Sequence, residues 1–332
     1  MPKKKPRLVE GPQTLTEAIA FFSDEDNALG YLIERRWPSG EVSCPTCGTT
    51  AVIFLKNQRR WKCSNDHPRR QFSAKIGTIM EDSPLPLGKW LAAMWMISNC
   101  KNGISSYELH RALDITQKSA WFVLHRVRLA MQNAQGGGTL DGEIEVDETY
   151  VGGKARFMSK SRKARKIKGR GTAGKAIVMG MLQRHGKDGE VSRVKTRVIA
   201  NTASDILQGN IRRNVEQGSA VFTDEHGGYQ GLDPDYEHNV INHMETYVQG
   251  NVHTNGIENF WTLLKRAIKG TYVSVEPFHL FRYADEQAYR FNERKHTDAE
   301  RHDRLVAHVA GKKLSYKELI GEKAQPLIAV PA

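Results

Sequence analysis

Three acidic residues that stand far apart in the chain have the types and settings of a metal site. Asp147 lies in EIEVDETYVGG, Asp224 in SAVFTDEHGGY and Glu258 in HTNGIENFWTLLKR. The first two follow apolar, strand-like runs and the third opens a helical pattern, so folding can bring them together. Phosphodiester chemistry uses two divalent ions about 3.5 to 4 Å apart, which need hard oxygen ligands. The three acids therefore predict a site for two Mg²⁺ or Mn²⁺ ions and for phosphodiester chemistry.

Each of these acids also has an ordinary structural explanation. An Asp at the end of a strand is commonly a turn or cap residue, and Asn255 with Glu258 fits a capping box at a helix start. Asn255 also competes with Glu258 as the third ligand, because an amide oxygen can bind Mg²⁺. We favour Glu258. Along a strand, Glu145 shares the face of Asp147 whereas Glu148 points away, and both rank below Asp147 as ligands.

A second candidate metal centre lies nearer the amino terminus. Cys44 and Cys47 form a CxxC knuckle, and Cys63 and His67 follow in the next segment. Four such sulfur and nitrogen ligands suit a tetrahedral, structural Zn²⁺. The metal would supply the stability that so small a module cannot obtain from burial. A second CxxC is absent, so Asp66 stays open as an alternative to His67 for the fourth ligand.

The composition is that of a basic globular protein. The 332 residues include 49 Lys and Arg against 37 Asp and Glu, a formal charge of +12, and 39% are hydrophobic. Clustered basic charge indicates a nucleic-acid partner. Four cysteines are too few for a disulfide scaffold, and no apolar run reaches the roughly 20 residues that span a bilayer. We therefore expect a cytoplasmic, nucleoid-associated protein that binds DNA and no membrane.

Three helical patterns between residues 87 and 132 predict a DNA-binding module. Asp114-Ile115-Thr116 makes a tight turn before the last pattern, as in a helix-turn-helix whose final helix enters a major groove. The alternative is a plain three-helix bundle, and the segment alone does not separate the two. The residues expected to contact bases or phosphates are Gln117, Lys118, Ser119, Arg126 and Arg128.

The densest basic segment follows the first acid, from Lys154 to Lys175, and contains no acidic residue. Such a segment repels itself unless phosphates neutralise it. The alternative is a solvated loop without a specific partner. The residues within it that we expect to contact DNA are Arg162, Lys163, Arg165 and Lys166.

After a glycine-rich linker the pattern changes to strands mixed with helices, which indicates a mixed α/β sheet flanked by helices. The predicted ranges are a basic tail and lead-in helix at 1–38, a zinc ribbon at 39–76, a helix-turn-helix module at 85–133, a catalytic domain at 140–295 and a charged C-terminal tail at 296–332.

The runs VDETYVGGK, FTDEHGGY and HTNGIENFWTLLKR, together with CPTCG and RRWKC, resemble the DDE transposases of bacterial insertion sequences, in the group with an amino-terminal zinc ribbon. The resemblance covers roughly residues 15–295. It implies a ribonuclease H-like catalytic domain with Asp147, Asp224 and Glu258 at the metal site. It also implies that Lys265 lies near the DNA, and its neighbour Arg266 is expected to do the same.

A member of this family would bind the terminal inverted repeats of its element, cleave DNA strands with metal ions and transfer them to target DNA. Pairing two element ends implies a dimer or higher oligomer on DNA. Two alternatives remain open: a transcription regulator that binds without cutting, and a ribonuclease H-like nuclease. Trp261, one turn after Glu258, would either stack on a flipped base or pack in the helix core.

Overall fold

The computed structural model describes residues 11–134, 138–152, 160–161, 174–185, 191–241 and 254–322. They form two compact units, one from residues within 1–134 and 296–332 and the other from residues within 135–295. Among the described residues, no helix combines the length and the apolar character needed to cross a membrane.

The helices and strands are numbered here in chain order. The described α-helices are α1 (Leu15–Ser23), α2 (Glu25–Arg36), α3 (Leu87–Asn99), α4 (Ser106–Leu113), α5 (Gln117–Ala134), α6 (Ser204–Asn214), α7 (Asn255–Ala267), α8 (Leu280–Asn292), α9 (Asp298–Ala307) and α10 (Tyr316–Leu319). The described strands are β1 (Val52–Leu55), β2 (Arg60–Cys63), β3 (Gln71–Phe72), β4 (Glu143–Val151), β5 (Ala176–Gln183), β6 (Arg193–Ile199), β7 (Ala220–Asp224) and β8 (Glu237–Ile241).

The predicted lead-in helix is divided into α1 and α2 by Asp24. The side chain of Asp24 accepts hydrogen bonds from the backbone N–H groups of Asp26 and Asn27, at 2.8 and 2.9 Å. Asp24 therefore ends the first helix and caps the second, because a short carboxylate satisfies the free N–H groups of a helix start. The ribbon that follows is the antiparallel sheet β1-β2-β3.

The three predicted helices of the DNA-binding module are present as α3, α4 and α5. A capping box between Ser105 and Glu108 starts α4, and Asp114 ends it in the left-handed region, with a φ of 47°. The backbone turns sharply there, and α5 packs against both α3 and α4. The helices are confirmed, whereas the helix-turn-helix reading of them stays a prediction.

The C-terminal segment belongs to the core of the first unit, which differs from the charged tail predicted at 296–332. A capping box between Thr297 and Glu300 starts α9. On this helix His302 is fully buried, with its Nε2 3.1 Å from the carbonyl oxygen of Leu91 in α3. Its Nδ1 lies 2.9 Å from the hydroxyl of Tyr31 in α2. The α9 segment therefore connects to two helices that precede it by more than 200 residues.

The second unit is built on a five-stranded mixed sheet of order β6-β5-β4-β7-β8. The strands β4, β5 and β6 are antiparallel neighbours, whereas β7 runs parallel to β4 and β8 parallel to β7. Apolar residues of α6 pack on one face, and those of α7 and α8 pack on the other. This confirms the mixed α/β sheet flanked by helices and is consistent with the ribonuclease H-like fold that the resemblance implies.

The pleat of the central strand β4 separates its side chains into two sets. Ile144 and Val146 lie in the core beneath α6. Glu145 and Asp147 face the opposite way, toward α7, as expected for alternate residues of a strand. In the parallel pairing of β4 with β7, Glu145 lies opposite Phe222. The two predicted aspartates each lie two residues beyond that pair, at the same edge of the sheet.

Candidate active site and metal centre

The carboxylate of Asp147 is the centre of the candidate active site. Trp261 in α7 donates a hydrogen bond from its indole Nε1 to Oδ2 of Asp147, at 2.8 Å. Burial raises the pKa of Asp147, the indole hydrogen bond lowers it, and the charges of Asp224 and Glu258 raise it. Asp224 and Glu258 thus both lie within electrostatic reach of Asp147.

The other two acids lie at the end of a strand and in the first turn of a helix. Asp224 ends β7, half-buried, and its Oδ1 accepts a hydrogen bond from the backbone of His226 at 3.0 Å. Glu258 is exposed in the first turn of α7. The capping box expected from Asn255 and Glu258 is wrong, because the N-cap is Thr254 and Asn255 already lies inside the helix. The choice between Glu258 and Asn255 as third ligand stays a prediction.

The donor set at this site fits a hard cation. Burial disfavours the charged form of Asp147, and the nearby charges of Asp224 and Glu258 repel it. Both effects raise the pKa of Asp147. Oxygen ligands of this kind are the ones that Mg²⁺ and Mn²⁺ take, alongside water and phosphate. Asp147, Asp224 and Glu258 are the residues that would hold such ions.

Trp261 is held against the sheet by a glycine that the sequence analysis did not single out. Gly180 of β5 is the cross-strand partner of Asp147. A Cβ at Gly180 would lie 2.6 Å from Cη2 of Trp261 and 2.7 Å from Cδ1 of Ile257. Trp261 is 4% exposed, so core packing is confirmed and base stacking is not supported. A glycine inside a strand pattern is the sequence signal for such a close approach.

A fourth acid, Glu148, approaches the site from the other face of the sheet. The hydroxyl of Tyr229 donates a hydrogen bond to Oε1 of Glu148. The pKa of Glu148 is raised to about 7, chiefly by burial. The Tyr229 hydrogen bond opposes this rise, and the charges of Asp147 and Asp224 add to it. Glu148 does point away from the Asp147 face, as predicted, but it lies close enough to feel the charge of both aspartates.

Glu145 lies on the face of Asp147, also as predicted, but both of its oxygens are already engaged. Its Oε1 accepts from Nε of Arg184 at 2.9 Å, and its Oε2 accepts from the backbone N–H of Ile257 at 2.8 Å. These contacts make Glu145 a poorer candidate for a metal ligand than Asp147.

The residues predicted to read DNA divide into accessible and buried ones. Lys118 is exposed at the start of α5, with its Nζ 4.5 Å from the ring centre of Tyr316. Gln117 and Ser119 are half-buried, and Gln117 donates to the hydroxyl of Ser106 at 2.8 Å. These three stay candidates for DNA contacts.

Arg126 and Arg128 are only 4% and 1% exposed, which corrects the expectation that they contact phosphates. Arg126 donates from Nε to the carbonyl oxygen of Leu314 at 3.0 Å and from Nη1 to that of Glu81 at 2.8 Å. The sequence pattern of α5 does not indicate that the C-terminal segment, through Leu314, contacts Arg126.

Of the other basic residues predicted to contact DNA, the structure describes two and leaves four outside the described ranges. On α7, Lys265 is half-buried and Arg266 exposed, both in its last turn. Arg162, Lys163, Arg165 and Lys166 lie outside the described residues.

The predicted zinc ligands Cys44, Cys47, Cys63 and His67 form one group whose ligand atoms all lie within 4.8 Å of one another. The Sγ of Cys44 is 3.4 Å from Nε2 of His67, and the Sγ atoms of Cys47 and Cys63 are 3.6 Å apart. Tetrahedral zinc with bonds of about 2.0 to 2.3 Å sets such atoms roughly 3.5 to 3.8 Å apart. The Cys₃His group fits a structural zinc ion.

The surroundings of the group favour His67 over Asp66 as the fourth ligand. Nδ1 of His67 lies 2.7 Å from the carbonyl oxygen of Pro68, a contact that directs Nε2 toward the cysteines. The side chain of Asp66 is 98% exposed and lies 3.7 Å from Arg70. Asp66 is absent from the group of converging ligands among the described residues.

Comparison with known proteins adds to this geometry. Residues 139–292, which contain the three predicted acids, match the family model of the ISXO2-like transposase domain. Residues 23–65, which contain the three cysteine ligands, match that of the transposase zinc-ribbon domain. A relative described as an uncharacterized protein in transposable element ISH50, from Halobacterium salinarum (strain ATCC 700922 / JCM 11081 / NRC-1), is 26% identical over 258 residues, covering 75% of this chain and 84% of the relative.

Proposed function

Because this chain carries an ISXO2-like transposase domain together with a transposase zinc ribbon, we propose that it is a DNA transposase. It binds the terminal inverted repeats of an insertion sequence, cleaves DNA strands at the element ends and transfers them to target DNA. The observation that supports this most is that the charges of Asp224 and Glu258 both act on Asp147 and raise its pKa.

Two Mg²⁺ or Mn²⁺ ions, when bound there, would stabilise charge on the attacking and leaving oxygens of the phosphodiester. Asp147 would hold them from a fixed direction, since the hydrogen bond from the indole of Trp261 to its Oδ2 orients the carboxylate. Asp224 and the exposed Glu258 approach from a strand end and a helix start. Substrate phosphates would enter at this exposed side.

The amino-terminal ribbon and helices would position the element ends. Lys118, with Gln117 and Ser119 beside it at the start of α5, would contact bases in a major groove. Lys265 and Arg266 would contact phosphates along α7. Phosphate contacts by lysine and arginine release counterions, so the affinity for DNA would fall steeply with salt. Bringing two ends together would require at least a dimer.

The test is cleavage of DNA duplexes that carry the inverted repeats read from the sequence flanking the gene, with Mg²⁺ or Mn²⁺. We expect nicking by the wild-type protein and its loss in Asp147→Asn and Asp224→Asn. Asp205→Asn is the matched control, because Asp205 is an exposed acid of the same unit in α6. Equal nicking by all four proteins would overturn the proposal.

The third ligand is decided in the same assay by Glu258→Gln against Asn255→Ala. Full nicking by the Glu258 variant and none by the Asn255 variant would assign the ligand to Asn255. A folded protein that binds the repeats but never cuts them would instead support a transcription regulator. Cutting of RNA–DNA hybrids without preference for the repeats would support a ribonuclease H-like nuclease.

A further inference from the structure

We propose that Glu145 is a positioning residue that fixes the first turn of α7 on β4 and so places the third acid opposite Asp147. The structural part stands on contacts of the second unit alone. The kinetic part of the test rests on the proposed transposase function.

The start of α7 lacks a side-chain cap of its own. Its N-cap residue, Thr254, makes no side-chain hydrogen bond to the first turn, although the first N–H groups of a helix have no partner within the helix. Glu145, 1% exposed, supplies the missing acceptor from the neighbouring strand, because its Oε2 accepts from the N–H of Ile257 at 2.8 Å. A carboxylate at this end also interacts favourably with the helix dipole.

The hydrogen bond from Trp261 to Asp147 is a second contact between α7 and β4, and the two contacts are about equally far apart along both elements. Glu145 and Asp147 are two residues apart on β4, which is roughly 6.7 Å along a strand. Their partners Ile257 and Trp261 are four residues apart on α7, which is roughly 6 Å along a helix. Two hydrogen bonds at this spacing fix both the position of α7 along β4 and its rotation about its own axis. Glu258, the neighbour of Ile257, is thereby directed to the site.

The close approach of the helix start depends on a glycine. A Cβ at Gly256 would lie 2.9 Å from Oε2 of Glu145 and 3.1 Å from Cδ2 of Leu182. Any larger residue would force the first turn and the carboxylate apart, whichever of the two moves. Gly256 therefore offers a second way to break the contact, one that leaves the charge of Glu145 in place.

Arg184 completes the arrangement as the counter-charge. Its Nε donates to Oε1 of Glu145 at 2.9 Å, and its guanidinium lies 4.2 Å from the ring centre of Phe222 in β7. It also donates to Glu143 at 3.1 Å. Glu143 is exposed, so its pairing with Arg184 gives a matched control that leaves the Glu145 contact with α7 in place.

The variants Glu145→Gln, Gly256→Ala and Glu143→Gln are compared with the wild type as full-length proteins. In Glu145→Gln, an amide NH₂ must face either the guanidinium or the Ile257 N–H, so one hydrogen bond is lost. Single-turnover nicking of the flanking-repeat duplex with Mn²⁺ in excess separates the rate constant from the amplitude. We expect the rate constant of Glu145→Gln and Gly256→Ala to fall about 100-fold, with amplitude and DNA affinity unchanged. Glu143→Gln should stay within about twofold of the wild type.

Backbone hydrogen exchange over residues 254–261, measured without DNA, tests the contact independently of activity. We expect faster exchange in Glu145→Gln and Gly256→Ala and unchanged exchange in Glu143→Gln. A wild type that nicks nothing would remove the proposed function, yet this exchange result would still decide the Glu145 contact. Unchanged exchange, a fall in amplitude at a constant rate, or an equal loss in Glu143→Gln would each overturn the inference.

Discussion

Replacing Trp261 by Phe removes one hydrogen bond at the centre of the candidate site, together with the outer part of a buried indole ring. The indole Nε1 donates to Oδ2 of Asp147 at 2.8 Å, while the ring packs over Gly180 in the core. Phenylalanine keeps an aromatic ring there but has no donor. Compared with a variant that loses a buried indole elsewhere, Trp261→Phe isolates the contact that directs the carboxylate of Asp147.

The expected loss follows from the type of bond. A hydrogen bond to a charged group contributes about 1.5 to 3 kcal/mol, and each 1.4 kcal/mol corresponds to about tenfold in an equilibrium constant. Partners that orient a metal ligand typically change metal affinity by about 10- to 100-fold. Both lines of reasoning lead us to expect that Mn²⁺ binds Trp261→Phe about 10- to 100-fold more weakly than the wild type.

The pH dependence should change in a definite direction. Burial raises the pKa of Asp147 and the Trp261 hydrogen bond lowers it. Removing that bond raises the pKa further, so the carboxylate becomes protonated at a higher pH. The acidic limb of the nicking rate should therefore move to higher pH in Trp261→Phe.

Calorimetric titration with Mn²⁺ and single-turnover nicking across pH measure the two effects. The matched control is Trp90→Phe, because Trp90 is 1% exposed and donates its indole N–H to the neutral hydroxyl of Ser83 at 3.1 Å in the first unit. Both variants lose a buried indole donor, but only Trp261→Phe loses the donor to Asp147. Equal Mn²⁺ affinity in wild type and Trp261→Phe, with folding intact, would refute the reasoning.

Further variants test packing, pH dependence and metal content. Gly180→Ala should lower the free energy of unfolding by about 1 to 3 kcal/mol by overpacking and abolish nicking. A Cβ at Gly209 has no contact closer than 4.0 Å. Gly209→Ala should therefore neither lower the free energy of unfolding, measured in urea, nor reduce nicking. Burial lowers the pKa of His302 to about 4, so the unfolded state binds its proton first as pH falls from about 6.5 to 4. The free energy of unfolding should then drop by about 3 kcal/mol over that range, and this contribution to the slope should be missing in His302→Gln. Elemental analysis should find about one zinc per chain in Asp66→Asn and a clear loss in His67→Ala. The reverse pattern would return Asp66 to the ligand set.

Local patterns in the sequence were enough to predict the parts of the site that depend on local structure. Alternation along β4 places Glu145 with Asp147 and turns Glu148 to the other face, and this is what the structure has. The same holds for the cysteine knuckle, because its geometry is set by a few adjacent residues. These features need no knowledge of distant contacts.

The features that the sequence left undetermined depend on partners far along the chain. The helix-turn-helix pattern predicts a phosphate contact for Arg126, yet its donors bond two carbonyl groups, one of them 188 residues away. The role of Glu145 likewise depends on Ile257, a partner 112 residues away. Charge and periodicity cannot specify such pairs, since any of many carbonyls or N–H groups satisfies the same rule.

The division of the first unit into two chain segments has a consequence for the order in which the protein is made. Residues 135–295 leave the ribosome before α9, whose His302 lies in the core between α2 and α3. The unit that holds the five-stranded sheet can therefore finish folding while the amino-terminal unit, although synthesised first, still lacks its C-terminal helices. A gene copy shortened at its 3′ end would encode a complete sheet and acid site but an unfinished amino-terminal unit. Loss of sequence from that end should thus damage the zinc-ribbon and helical unit before it removes the three acids of the candidate site.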